Sequence, residues 1–233
     1  MSTNRSAAAV IVAAGTGARM NASLPKQFLL LNDRPVLFHT LQPFLTATFV
    51  NEIIVVVHPD WLNRQEVKNC LPDKSDKPIR IVPGGERRQD SVYNGISATS
   101  ESVEIIIVHD GVRPFVTLKE INETILMCDS FDGSILAIPT VDTLKEVKDA
   151  TIIRTIDRSN IWQAQTPQTF RKSILLRAFE TAFANGFTGT DEASLVEKIG
   201  GKISVLNGHP ENIKITCQYD LNIAKSILEW RSI

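Results

Sequence analysis

The sequence predicts an α/β fold: a mainly parallel sheet with helices on both faces and a β-hairpin arm protruding from it. Two observations carry the sheet. Short runs rich in Val and Ile alternate with longer stretches of helical periodicity along most of the 233 residues, the pattern of successive β–α–β units. Several of these runs are apolar at consecutive positions, as strands buried on both faces must be. A third observation carries the arm. Two strand-like runs, 143–147 and 151–155, are separated only by Lys148, Asp149 and Ala150, and they break the alternation.

Taken in order, strands are expected at 8–13, 52–57, 79–82, 105–109 and 134–138, with helices between them at 36–45, 61–71, 91–99 and 118–128. Beyond the arm, helices are expected at 171–185 and 191–199, strands at 203–206 and 213–216, and a closing helix at 221–230. Right-handed crossovers place the loops after the strands along one edge, where ligands bind. With no internal repeat, low-complexity tract or linker, residues 1–233 read as one domain with 140–160 as its arm. The arm's mixed charge suits either packing on a second subunit or a solvent-facing hairpin within a monomer, and both readings stay open.

Hydrophobic residues make up 43% and charged residues 22% of the chain, the balance of an ordinary globular protein. A net charge of −1 supplies no basic field for a nucleic-acid backbone, although it allows a local basic pocket. Cys70, Cys128 and Cys217 lie far apart without metal or redox spacing, so they read as buried small hydrophobes in a reducing compartment. Arg5 and the apolar run after it loosely imitate a signal peptide, but the run ends in a glycine turn rather than a cleavage site and suits a buried strand. No apolar stretch approaches membrane-spanning length. A cytoplasmic location is expected, and an organellar protein stripped of its transit peptide would look the same.

The chemistry-bearing residues follow the strands. After the first come Ala13, Ala14, Gly15, Gly17 and Arg19, then Pro25, Lys26 and Gln27. Glycines let a backbone turn present N–H groups to an anion, and two cationic side chains add to it, a combination suited to a triphosphate. Met20 stands where a dinucleotide fingerprint needs its third glycine, and the Gly-Lys-Ser/Thr of a P-loop is absent. The third strand ends in Gly84 and Gly85, followed by Asp90 and Ser91, which either cap the next helix or help to recognise a base or ribose. The fourth runs into His109, Asp110 and Arg113. A carboxylate at the end of a central strand is placed to hold a divalent cation beside a triphosphate. Arg113 either locks that carboxylate or contacts substrate, and a lone His109 reads as packed rather than catalytic. Asp191 stands at a helix start, where capping is its default role.

In order along the chain, Ala13-Ala14-Gly15 with Arg19 and Met20, Pro25-Lys26-Gln27, Gly84-Gly85, His109-Asp110 with Arg113-Pro114, Asp157-Arg158, Thr166-Pro167-Gln168 and Asn212-Ile213-Lys214 form one set. That set resembles the 2-C-methyl-D-erythritol 4-phosphate cytidylyltransferase family of the non-mevalonate isoprenoid pathway. The resemblance implies a Rossmann-like fold, a homodimer clasped through the hairpin arm, and a divalent cation, magnesium or another, as cofactor. It implies that Arg19, Lys26 and Lys214 act on the reacting phosphates of CTP. Ala13, Ala14, Gly15 and Gly17, with Gly85 and Ser91, would hold the nucleotide. Asp110 would lie near the metal and the sugar phosphate, and Arg113, Thr143, Thr166 and Arg158 would hold the sugar-alcohol phosphate, Arg158 from a partner's arm. Glu86 stands where many members have Asp, and Gly111-Val112 replaces the commoner two alanines. A sister family acting on ribitol 5-phosphate shares the Gln165–Gln168 run and often a Val before the arginine. The Ala-Ala-Gly opening and the stretches 157–162 and 190–194 lean to the methylerythritol enzymes.

An ionised phosphate nucleophile needs no general base, which agrees with a site rich in Arg and Lys and poor in His. Two other classes, a nucleotide-binding regulator without catalysis and an NAD-dependent oxidoreductase, fit less well. The intact cationic set argues against the first and the missing third glycine against the second.

Overall fold

The computed structural model describes residues 5–16 and 24–231; Gly17 and Arg19 lie outside the described residues. In chain order the elements are β1 (Ala7–Ala13), β2 (Leu30–Leu31), β3 (Arg34–Pro35), α1 (Val36–Thr46), β4 (Val50–Val57), α2 (Gln65–Lys68), β5 (Ile79–Pro83), α3 (Arg88–Ser97) and β6 (Ile105–Asp110). They continue with α4 (Leu118–Met127), β7 (Gly133–Pro139), β8 (Leu144–Lys148), β9 (Thr151–Ile156), β10 (Trp162–Arg171), α5 (Lys172–Ala184), α6 (Glu192–Lys198), β11 (Ile203–Asn207) and α7 (Gln218–Arg231). Among the described residues, seven strands form one sheet in the order β11-β7-β10-β6-β1-β4-β5, and β8 pairs with β9 alone. The sheet is parallel except at β10, which runs antiparallel to both β6 and β7.

Burial on both faces explains the consecutive apolar runs. Ala7, Ala9 and Ile11 of β1 face a core with Leu37, Leu41 and Phe44 of α1 and Ile121 and Ile125 of α4. Ala8 and Val10 face the opposite core with Val92 and Ile96 of α3, Leu175 and Phe179 of α5, and Val196 of α6. Each fully buried aliphatic or aromatic side chain contributes about 1.5–3 kcal/mol, so the sheet is held from both sides. Local signals set the helix starts. At α4, Thr117 Oγ1 accepts from the Glu120 amide at 3.2 Å while Glu120 accepts from the Thr117 amide at 2.8 Å.

The arm is β8 and β9, joined at Asp149 and Ala150, whose φ angles of 49° and 61° are those of a two-residue hairpin turn. It pairs with no strand of the main sheet, and Val147, Ile152 and Ile153 are exposed on it.

Several expectations are corrected. The helix expected at 61–71 is a 3₁₀ turn at Pro59–Trp61 followed by the four-residue α2. Arg64, at ψ 150°, interrupts the path, and Trp61 turns inward to meet the Phe28 ring at 5.0 Å. The strand expected at 213–216 joins no sheet; it crosses the ligand edge, with the Ile215 amide donating to Val112 O at 3.0 Å and Ile215 fully buried. The helix expected from 91 begins at Arg88, and Asp90 caps it from the first turn, accepting from the Arg87 amide at 3.1 Å. β10 was not expected. Its residues Gln165, Thr166, Gln168 and Thr169 are buried yet polar, with a cis Thr166–Pro167 bond where pairing with β7 is interrupted. The cysteines are free; Cys70 and Cys128 are buried, and Cys217, against expectation, is half-exposed.

Candidate active site

The chain leaves β1 toward β4 on one side and returns through α3 to β6 on the other, so the strand order reverses at β1. A crevice at the carboxyl ends of such strands is the natural ligand site of an open α/β sheet. A cleft of about 530 Å³ lies there. Ala13, Ala14, Gly15, Lys26, Gly85, Ser91, Asp110 and Lys214 all line it. Thus residues 26, 85, 110 and 214, distant in sequence, share one space.

Its floor is a pinned loop. Buried Gln27 donates from Nε2 to Ala13 O at 2.7 Å and Gly15 O at 3.0 Å, fixing the path after β1. Gly15 has no left-handed φ, and a Cβ built there would meet nothing within 4 Å. Glycine at 15 therefore keeps the floor open rather than turning the chain. Gly84 is different: its Cβ would lie 2.5 Å from Ala14 Cβ and 2.8 Å from Ser91 Oγ, so the two ligand loops touch only because it is glycine. Ser91 Oγ accepts from the Gly85 amide at 3.0 Å and donates to Arg87 O at 3.1 Å, which ties this turn to the first turn of α3.

Asp110 is buried among cations. Oδ2 receives Lys214 Nζ at 3.0 Å and Arg113 Nε at 3.3 Å, while Arg88 lies 3.7 Å from Oδ1. Burial opposes its ionisation, but Lys214, Arg88 and Arg113 outweigh burial and hold the carboxyl well below the usual carboxylate range. Arg113 also donates to Asn212 O at 2.7 Å, so it clamps the Lys214 loop onto β6. Asn212 is itself buried, donating to Thr166 O at 2.9 Å. Thr166 Oγ1 accepts from the Asp110 amide at 3.0 Å and meets His109 Nδ1 at 3.0 Å. Burial pushes His109 down to about 4, so it is neutral at pH 7. Of the two readings of Arg113, locking the carboxylate is the one its hydrogen bonds support.

Thr143 and Arg158 are not brought to the cleft of their own chain; both are exposed at the base of the arm. Arg88, which lines the cleft, and buried Glu192, neither singled out from the sequence, form a two-point ion pair at 2.6 and 3.0 Å. Their separation of 104 positions left no local pattern to find.

The model of the 2-C-methyl-D-erythritol 4-phosphate cytidylyltransferase family matches residues 7–230. The chain belongs to this family. Among proteins similar to it, a 2-C-methyl-D-erythritol 4-phosphate cytidylyltransferase of Clostridioides difficile is 40% identical over 94% of this chain and 92% of its own. One of Bacillus cereus is 43% identical over 94% of this chain and 96% of its own. Among solved structures, 4-diphosphocytidyl-2C-methyl-D-erythritol synthase from Anaerococcus prevotii superposes with a TM-score of 0.85 at 32% identity, covering 97% of each chain. The 2-C-methyl-D-erythritol 4-phosphate cytidylyltransferase of Francisella tularensis gives 0.80 at 33% identity, covering 95% of this chain and 99% of the other. The family's members named here carry methylerythritol in their names and none carries ribitol.

Proposed function

We propose that this member of the family transfers the cytidylyl group of CTP to 2-C-methyl-D-erythritol 4-phosphate, releasing pyrophosphate, in the non-mevalonate isoprenoid pathway. The observation that carries the reading is the convergence of Lys26 and Lys214 on the cleft beside β1 in a chain that matches the family from residue 7 to residue 230. The acceptor phosphate attacks the α-phosphorus, and the bond to the departing pyrophosphate breaks. The obstacle is the meeting of two anions, so preorganised cations and fixed alignment lower the barrier without a general base. Lys26 and Lys214, with Arg19, act on the reacting phosphates; Ala13, Ala14, Gly15 and Gly17, with Gly85 and Ser91, hold the nucleoside. Arg113 and Thr166 serve the acceptor chiefly by holding Asp110 and the Lys214 loop in place.

Among the described residues no three His, Cys, Asp or Glu side chains group to hold a metal ion. Magnesium commonly uses one or two carboxylates and takes its remaining ligands from phosphates and water. Asp110 fits that role, because it lines the cleft and Arg88 stays 3.7 Å from Oδ1, beyond hydrogen-bond reach. A magnesium ion bound there with the triphosphate would neutralise charge on the phosphates.

The chain would work as a single domain and a homodimer. The apolar side chains of Val147, Ile152 and Ile153 lie uncovered on a two-stranded ribbon, which is marginal by itself in water. Pairing of arms would cover them and carry Thr143 and Arg158 toward a neighbouring cleft. No helix among the described residues is long and apolar enough to cross a membrane, and a cytoplasmic location suits the reaction.

The test is pyrophosphate release from CTP and magnesium with methylerythritol phosphate or ribitol phosphate supplied singly. Turnover with the first alone is expected. Turnover with ribitol phosphate alone would overturn the acceptor, and silence with both would overturn the reaction.

A further inference from the structure

Glu192 is 1% exposed, does not line the cleft, and opens α6. A carboxylate so placed costs several kcal/mol to desolvate, more than the favourable N-terminus of α6 returns. Its two oxygens take the two terminal nitrogens of Arg88, Nη1 at 2.6 Å and Nη2 at 3.0 Å, in the fork that fixes a guanidinium's plane. Held in that plane, Arg88 stops 3.7 Å from Asp110 Oδ1, which is attraction without a hydrogen bond. Lys214 meanwhile keeps its 3.0 Å contact with Oδ2. A guanidinium not held from behind would close on Asp110 with its own two-point contact, the better match for a carboxylate than a single ammonium. Lys214 would then lose its anchor.

We propose that Glu192 is a positioning residue for cytidylyl transfer: it holds Arg88 off Asp110, so that Asp110 keeps Lys214 aimed into the cleft. The inference rests on the reaction proposed above and extends it to a residue that touches neither substrate. Asp191 and Gln168 reinforce the arrangement. Asp191 caps α6 through the Ser194 amide at 3.0 Å, and Gln168 of β10 accepts from the Ala193 amide at 3.1 Å, so the backbone bearing Glu192 is fixed to the sheet.

The experiment compares wild type, Glu192→Gln, Arg88→Gln and the double variant for kcat and KM with CTP, magnesium and methylerythritol phosphate, each corrected for folded fraction by thermal melting. Glu192→Gln is expected to lower kcat about tenfold, a pairwise coupling of ordinary size, with KM for CTP unchanged or lower because the released guanidinium faces the triphosphate. Adding Arg88→Gln is expected to restore part of that kcat, since the competing guanidinium is gone. A kcat within twofold of wild type in Glu192→Gln would overturn the proposal, whatever the melting temperature does. So would a double variant slower than Glu192→Gln. If Glu192→Gln does not fold, Glu192→Asp replaces it, with a smaller kcat loss and the same rescue expected; no loss or no rescue overturns the proposal. Silence of the wild type would instead sink the reaction itself.

Discussion

Lys214 lines the cleft from a loop, and Lys26 lines it from the 3₁₀ turn Lys26–Phe28. Alanine at either position is expected to lower kcat about 100-fold or more, as loss of a single preorganised donor does. Steady-state kinetics with saturating CTP check this, and a near-normal kcat would contradict it. His109 makes a prediction about stability. Its folded value of about 4 lies below the ordinary unfolded value near 6.5. Between the two the unfolded chain binds the proton and the folded chain does not. Its contribution is therefore complete above pH 6.5 and is lost as pH falls toward 4, by about 3 kcal/mol at most. Urea unfolding at pH 7.5 and 4.5 should show that fall, and His109→Gln should flatten it. At this scale the sequence displayed single residues well and pairings badly. Asp110 and Lys214 were legible as members of ordered motifs. The grip of Glu192 on Arg88 was not, because its meaning lies in a contact between distant segments.

β10 shows the same limit one level up. A strand rich in Gln and Thr with an internal Pro does not look like the centre of a sheet. It works because each buried polar side chain has an assigned partner: Thr169 donates to Thr124 Oγ1 at 2.9 Å, and Gln168 Nε2 donates to Asp191 Oδ2 at 2.8 Å. Gln168→Leu is expected to cost about 1–3 kcal/mol by orphaning the Ala193 amide and Asp191, read as a lower denaturant midpoint at unchanged slope. Strands β1, β4 and β6 were legible because burial on both faces leaves an unbroken apolar run. The stretch at 213–216 instead alternates Ile213, Lys214, Ile215 and Thr216 as a half-buried strand would, yet it spends Ile215 on the small core beneath α7 rather than on a ladder. At 61–71 the apolar residues serve an anchoring turn, which period alone does not distinguish from a helix.

For the whole molecule, the alternation of strands and helices was enough to anticipate a sheet covered on both faces with its ligand edge at the strand ends. The reversed strand inside it, β10, was hidden by polarity. The arm was visible as a hairpin, and what it meets is a matter of assembly. Ile152→Lys with Ile153→Lys is expected to shift the protein from dimer to monomer in sedimentation, since two charges would lie in the face proposed to be covered. Arg158→Ala should raise KM for methylerythritol phosphate severalfold with little change in KM for CTP; a change confined to CTP would contradict its role at the acceptor.

The route by which Lys214 reaches the cleft has one more consequence. Strands β1, β4, β5 and β6 and the two ligand turns are complete by about residue 113, whereas Lys214 waits on β10, which its loop needs as a mooring through Asn212 and Thr166. During synthesis the first half of the chain supplies most of the groove's lining, and its last cation is added roughly a hundred residues later. A chain cut short between them would keep Lys26 and lack both Lys214 and the strand that moors its loop.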